Sequence, residues 1–269
     1  MMASSARLFG RLPHLIPLVL QQPGELCDRV RAKLECHVDR RRAQRYRYTP
    51  ATLRDGLTSL ALELGIPLDE TLAEESFAEM RAHVTAGIAG LERGPFSAAH
   101  NGDLALASVV YYAARALRPS VAIETGVAYG VTSVFLLQAL ARNGQGKLCS
   151  IDLPPLGPDA QAHVGALVPE ELRSRWHLHR GVSRRRLTGI LHEVGSVDLF
   201  IHDSLHTYAN MRWEFETVWP FLRRGGLLIA DDIEDNAAFG EFAEEVTPAA
   251  ALVIQEQGKH SLLGVLRKP

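Results

Sequence analysis

The stretch Val121-Ala-Ile-Glu-Thr-Gly-Val-Ala-Tyr-Gly-Val-Thr132 decides the fold of this chain. It begins with an apolar run, turns acidic and glycine-bearing at Glu124-Thr125-Gly126, and continues into residues 131–137, which have helical apolar spacing. A strand, a glycine turn and a helix in this order bring free backbone N–H groups close to a ligand. The pattern therefore predicts that this loop holds a nucleotide-like ligand.

The spacing of the two loop glycines narrows the kind of ligand. Gly126 and Gly130 form Gly-x-x-x-Gly, which matches neither the dinucleotide pattern Gly-x-Gly-x-x-Gly nor a phosphate loop with its Lys-Ser/Thr. A ligand without a pyrophosphate fits this spacing better, although a tight turn with no ligand would also produce it. Asp152 ends the next predicted strand, where a doubly wound fold places a carboxylate against ribose hydroxyls. The glycine loop and Asp152 together favour a bound ligand over a tight turn without one.

Length and composition set wide limits. The chain has 269 residues, 46% hydrophobic and 22% charged, which is enough for one α/β domain with a helical appendage. The formal net charge of −2 gives no reason to expect nucleic acid. No apolar run approaches the roughly 18 residues that span a membrane. Three cysteines, Cys27, Cys36 and Cys149, are too few and scattered for a disulfide framework, so we expect reduced thiols and a cytoplasmic protein.

The pattern changes near residue 100. After a poorly periodic lead up to about residue 24, residues 53–64 and 72–91 have helical spacing, so we expect residues 1–100 to be a helical region. Its role is open between a lid, a substrate wall and a contact in a homo-oligomer. Residues 101–269 alternate helices, beginning with 104–117, with short apolar strands, which predicts an α/β fold with a doubly wound, mostly parallel sheet. The expected strands number about seven: 121–125, 148–152, 176–180, 197–202, 226–230, 252–255 and 262–266. The last two form a hairpin around Gln257-Gly258-Lys259, which makes the final strand antiparallel.

Acidic residues follow two of these strands. Asp203 and His206 come after the strand 197–202, and Asp231-Asp232 come after the strand 226–230. The carboxyl ends of parallel strands share one edge of a sheet, so these carboxylates would lie together and repel one another. A divalent cation such as Mg²⁺ would neutralise them. Helix capping and solvation are simpler roles for the aspartates, and a packing role is the simpler one for His206.

Taken together, these motifs resemble class I S-adenosylmethionine (SAM)-dependent methyltransferases. The residues that carry the resemblance are Glu124-x-Gly126-x-x-x-Gly130, Asp152, Asp203…His206-Thr207-Tyr208 and Gly225-Gly226…Asp231-Asp232. Within that class the chain is most similar to the small-molecule O-methyltransferases that include macrolide-sugar methyltransferases and cephalosporin-hydroxylase-like proteins. The resemblance covers roughly residues 104–268 and implies a Rossmann-like methyltransferase fold.

The resemblance also implies roles for individual residues. It implies a SAM site in which Asp152 binds the ribose and residues 181–183 flank the adenine. The residues expected in this site are Glu124, Thr125, Gly126, Tyr129, Gly130, Thr132, Asp152, Ser183 and Asp203. It implies that Asp203 and His206 are catalytic, with His206 as the base. In metal-dependent members Mg²⁺ is bound at the positions of Asp203, Asp231 and Asp232. The acceptor implied is a hydroxyl of a sugar or other small natural product.

One departure from the family pattern bears on the metal. The common segment reads Asp-Gly-Asp-His, whereas this chain has Asp203-Ser204-Leu205-His206, which leaves one carboxylate fewer near the site. Leu205 also leaves room for a non-catalytic, methyltransferase-like module that binds a ligand or partner. A nicotinamide-dependent oxidoreductase is a further alternative, against which the glycine spacing argues.

Overall fold

The computed structural model describes residues 22–42, 46–91, 94–96, 104–157, 159–255 and 260–269. Most of the expected N-terminal lead, and the turn at residues 257–259 of the expected hairpin, lie outside these ranges. Within them, no helix combines the length and the apolar character that crossing a bilayer requires.

One eight-stranded sheet organises the chain, with strand order β1-β7-β8-β6-β5-β2-β3-β4. Only β8 is antiparallel to its neighbours, β6 and β7, which confirms the predicted doubly wound sheet with an antiparallel last strand. The strands are β1 (Ala51–Thr52), β2 (Val121–Thr125), β3 (Lys147–Asp152), β4 (Trp176–Arg180), β5 (Val197–His202), β6 (Leu222–Ala230), β7 (Ala250–Gln255) and β8 (Leu262–Arg267). The expectation of about seven strands missed β1, because two residues are too short for any apolar period.

Nine α-helices appear in the described ranges. They are α1 (Pro23–Arg42), α2 (Leu53–Leu64), α3 (Leu68–Leu72), α4 (Glu75–Gly90), α5 (Leu104–Leu117), α6 (Val131–Asn143), α7 (Ser183–Val194), α8 (Tyr208–Val218) and α9 (Ala238–Val246). The predicted helices 53–64 and 104–117 are confirmed. Residues 72–91 were expected to form one helix, but the chain breaks after Leu72 and α4 begins at Glu75, so the prediction was wrong at its start.

Successive strand residues face opposite layers of the core. Ala122 and Leu199 pack on the side of α2, α4, α5 and α6, whereas Ile123 and Phe200 pack on the side of α7, α8 and α9. This alternation is the period of two that a sheet covered on both faces requires. Helices α2 and α4 contribute to the same cluster as α5, so the N-terminal region shares the core of the sheet.

Gly264 of β8 lets a helix pack directly on the sheet. A Cβ at this position would overlap the ring of Phe239 on α9. We expect Gly264→Ala to lower the free energy of unfolding by about 1–3 kcal/mol, because the ring has no room to retreat. Gly189→Ala in α7, where a Cβ meets nothing within 4 Å, is the control and should be neutral or stabilising by up to about 1 kcal/mol. Urea unfolding measures both, and equal effects would contradict this packing.

Candidate active site

The glycine loop after β2 is fixed against the segment that follows β5. Gly126 has φ 84° and donates its N–H to the carbonyl of Ile151 (2.9 Å). A Cβ on Gly126 would overlap the carbonyl oxygen of Asp203, whose own N–H donates to Thr125 O (2.8 Å). Only glycine fits both the positive φ and this close backbone approach. The expected ligand loop and the expected reactive segment therefore meet at one point.

Asp152 shapes the loop from the side of β3. Its Oδ2 accepts hydrogen bonds from the N–H groups of Val127 (2.8 Å) and Ala128 (3.0 Å). Ala128 has φ 47°, and Gly130, with φ 90°, begins α6 without a side-chain cap. The first turn of α6 therefore presents backbone N–H groups that no capping side chain covers, as an anion-binding helix start does.

Glu124 lies fully buried under the loop. Its Oε2 accepts from the hydroxyls of Ser133 (2.7 Å) and Ser150 (2.8 Å). Among the described residues, its Oε1 has no hydrogen-bond partner. Burial, together with the charge of Asp152, raises the pKa of Glu124 to about 7, although the two serine hydroxyls oppose this shift. Burial therefore favours the protonated form of Glu124, and its Oε1 is available to a ligand.

Two of the expected cofactor residues face away from the loop or are covered. The Tyr129 ring packs edge-to-face on Phe96, and its hydroxyl donates weakly to the carbonyls of Leu91 (3.3 Å) and Phe96 (3.4 Å). Thr132 is buried in the first turn of α6, and its hydroxyl has no partner within the described part of the chain. Tyr129 thus contributes shape to the loop, and its hydroxyl is directed towards the end of α4.

The centre of the polar network is Glu214 on α8, which the sequence analysis did not single out. This fully buried carboxylate accepts hydrogen bonds from side chains of several segments: Thr125, Ser183, His202, Ser204 and Asn210. Burial raises its pKa, but the charge and hydrogen bond of His202 and the neighbouring hydroxyls outweigh this and lower it to about 2. Thr125 and Ser183, both expected to contact a cofactor, are therefore anchored to Glu214.

His206 lies between two of the expected carboxylates. Its Nδ1 is 3.0 Å from Asp232 Oδ2, and its Nε2 is 3.7 Å from Asp203 Oδ1, too long for a hydrogen bond. Burial lowers the pKa of His206, but the two carboxylates outweigh it and raise it to about 9. Burial and the neighbouring Asp231 raise the pKa of Asp203 well above its usual range. The structure thus brings together Asp203, His206, Asp231 and Asp232, as the strand ends predicted.

The expected Mg²⁺ site is not shown. Across the described ranges, no group of three or more His, Cys, Asp and Glu side chains is arranged to hold a metal ion. Asp203 and Asp232 instead face the two nitrogens of His206. The imidazole provides part of the neutralising charge for which the sequence suggested a cation.

Helix α1 crosses the carboxyl edge of the sheet above this site. It makes hydrogen bonds and ion pairs with the end of β4 and with the segments after β3, β4 and β5. The contacts are Arg29 Nη2 to Pro154 O (2.7 Å), Glu25 to Arg180 (2.5 Å), Asp28 to Arg185 (2.5 Å), Glu35 to Thr207 (3.0 Å) and Asp39 to the N–H of Tyr208 (2.5 Å). The three roles left open for the N-terminal region, a lid, a substrate wall and an oligomer contact, stay predictions.

The comparisons with known proteins agree with this geometry. Residues 123–233, less than half of the chain, match a family model described as a methyltransferase domain. This match begins in β2 and ends just after the two aspartates that follow β6. No curated protein matches the chain.

Solved structures extend the likeness across the sheet. An O-methyltransferase from Bacillus cereus in complex with SAH is 14% identical, covers 78% of this chain and 96% of its own, and has a TM-score of 0.53. The O-methyltransferase TomG from Streptomyces achromogenes, involved in tomaymycin synthesis and solved with SAM, is also 14% identical, with coverages of 73% and 91% and a TM-score of 0.54. Identity this low shows the fold alone. Together with the domain match, it confirms the resemblance to class I methyltransferases.

The close backbone approach at Gly126 can be tested by comparison with a glycine that also has positive φ but has space for a Cβ. Gly144 also has positive φ (72°), but a Cβ there meets nothing within 4 Å. We expect Gly144→Ala to cost about 1–2 kcal/mol from the left-handed backbone alone. Gly126→Ala should cost roughly 1–3 kcal/mol more, because it also displaces the backbone of Asp203. Chemical denaturation of both variants measures the difference, and equal costs would exclude the approach.

The buried Glu214 carboxylate predicts a pH-dependent stability. Its folded pKa of about 2 lies below the ordinary 4.5, so its contribution is complete above about pH 4.5 and is lost as the pH falls towards 2. We expect Glu214→Gln to be about 3 kcal/mol less stable than the unmodified chain at pH 7. The difference should narrow between about pH 5 and pH 3 in denaturant titrations. A difference independent of pH would show that Glu214 is not held as a carboxylate.

Proposed function

We propose that this chain is a SAM-dependent O-methyltransferase whose acceptor is a hydroxyl group of a small molecule, such as a sugar or another natural product. The observation that carries the proposal is the contact of Gly126 with the backbone of Asp203. It fixes the expected cofactor loop beside the segment that carries His206. Further support comes from the two O-methyltransferases of the same fold that hold SAH or SAM.

The cofactor would lie along the loop from Glu124 to Gly130. The unpartnered Oε1 of Glu124 supplies an acceptor beneath this loop, and the uncapped start of α6 supplies donors. Asp152 ends β3 beside the loop, where it would face the ribose. Ser183, the last residue of the segment expected to flank the adenine, begins α7.

The proposed chemistry requires little of the protein beyond alignment and proton removal. SAM supplies an activated methyl group, so the chain has to hold a hydroxyl in line and accept its proton. Asp232 engages Nδ1 of His206, which leaves Nε2 to receive the proton of the hydroxyl. With its pKa raised to about 9, His206 is protonated in most molecules at neutral pH, and only the neutral fraction can act as the base.

Assistance of the reaction by Mg²⁺ is a separate hypothesis, and the arrangement of the expected carboxylate ligands does not support it. The carboxylates expected to bind the ion do not form one donor set in the described structure, since Asp203 and Asp232 flank His206. We therefore assign no step to a metal. Turnover measured with and without a chelator tests this directly.

The proposal predicts a selective effect of substitution at His206. With SAM and a panel of sugars and phenols, His206→Gln should lower methyl transfer by roughly 10²- to 10⁴-fold, because the general base is lost. SAH affinity, measured by calorimetry, should stay within about twofold, because His206 lies beyond the cofactor loop. The matched control is His192→Gln, an exposed residue of α7 whose ring packs on Phe221. Unchanged turnover in His206→Gln would remove His206 from the mechanism.

Binding measurements separate the alternatives. SAH bound by the purified chain, with product formed from at least one acceptor, supports the proposed reaction. Binding of NAD in place of SAH would indicate the oxidoreductase. SAH binding with no methylated product from any acceptor in the panel would favour the non-catalytic module.

A further inference from the structure

Behind His206 lies a second histidine, His202, which is the last residue of β5. Its side chain is fully buried, and its Nδ1 lies 2.7 Å from Oε2 of the equally buried Glu214. The rings of His202 and His206 meet edge-to-face with centroids 5.3 Å apart. Phe215 packs on the His202 ring from another direction, with centroids 5.5 Å apart in the same kind of contact. Each ring thus limits the rotation of the next.

Glu214 fixes the state of the His202 ring. As a carboxylate with several donors it can only accept, so Nδ1 of His202 carries the proton of their shared hydrogen bond. Nε2 of His202 then lies on the opposite edge of the ring, where it has no hydrogen-bond partner in the described part of the chain. The Nε2 of His206 is likewise unpartnered there.

Compensation of the buried charge of Glu214 explains a hydrogen-bond donor at this position, but it does not explain an imidazole ring. His202 lies two residues after Phe200, on the face of the sheet that packs against α8, where an apolar side chain would serve the core. A buried ring nitrogen without a partner is unfavourable relative to an apolar side chain of the same shape. Smaller side chains, such as those of Thr125 and Ser204, also donate to Glu214, so what the imidazole of His202 adds is its contact with the ring of His206.

We propose that His202, held by Glu214, is a positioning residue that keeps the His206 ring between Asp203 and Asp232 with its Nε2 directed to the acceptor hydroxyl. This inference rests on the proposed role of His206 as the base. The positioning runs from Thr125, at the end of the cofactor strand, through Glu214 and His202 to His206. The loop that would bind SAM and the base would therefore be aligned by one buried chain of contacts.

Two substitutions separate the ring of His202 from its hydrogen bond. His202→Phe keeps an aromatic ring against His206 and removes the bond to Glu214. His202→Asn keeps a side-chain donor near Nδ1 and removes the ring. Ser204→Ala is the matched control, because it takes one donor (2.9 Å) from the other oxygen of Glu214 and leaves His202 untouched.

The first readout needs no acceptor and so is independent of the proposed reaction. In imidazole ¹⁵N–¹H spectra at fixed pH, with the His206 signals assigned from His206→Gln, both His202 variants should shift or broaden those signals. Ser204→Ala should lower stability and leave the His206 signals in place. Unchanged His206 signals in folded His202→Phe and His202→Asn would overturn the proposal, as would equal shifts in Ser204→Ala.

The second readout uses the acceptor methylated in the panel described above. Both His202 variants should lose roughly 10- to 100-fold in kcat, because a small displacement of the base costs alignment. The KM for the acceptor and the SAH affinity should stay within about twofold. Loss of affinity and melting temperature with an unchanged kcat would show a purely structural role and contradict positioning. A panel with no methylated acceptor would count against the proposed function, while the spectra would still decide the role of His202.

Discussion

The geometry of this site depends on one buried carboxylate. Glu214 is removed from water, which would cost several kcal/mol if its charge were not compensated. The compensation comes from donors on the strand before the glycine loop, on the start of α7, on the end of β5 and on the segment that follows it. Because each donor belongs to a different segment of the carboxyl edge, satisfying one charge fixes these segments relative to one another. These segments are thus held by a polar centre at the carboxyl edge of an apolar core.

That core was largely predictable from local pattern. The short apolar runs of β2 and β5, which are covered on both faces, and the alternation of the edge strand β4 place all three strands at the predicted bounds. Local sequence pattern did not predict the elements whose position depends on tertiary contacts. β1 exists because Ala51 and Thr52 pair with the end of β7, and α3 separates from α4 at a turn that helical spacing does not mark. Neither feature has a signal within its own few residues.

The candidate site likewise contains residues that the sequence predicts and residues whose role depends on the fold. Asp203, His206 and Asp232 meet because neighbouring parallel strands end at one edge, which strand order alone predicts. Glu214 lies on a helix whose polar residues give no hint of what they face, so its role required the fold. His202 carried a signal that could have been used, since it is a polar residue at a core-facing position of β5, where an unpaired polar group is costly. Tyr129 shows the opposite case, because a residue inside the loop motif directs its hydroxyl towards the end of α4.

The charges at this edge also connect proton acceptance to cofactor binding. His206 is the group that moderates the repulsion among Asp203, Asp231 and Asp232, so removing its proton leaves the cluster more negative. A sulfonium cation bound along the adjacent glycine loop would restore that balance and favour the neutral imidazole. By linkage, deprotonation of His206 would in turn strengthen binding of the cation. In such an arrangement a bound sulfonium would favour the neutral, proton-accepting form of His206, and Glu214 would hold the end of the cofactor strand and His202 in one fixed arrangement.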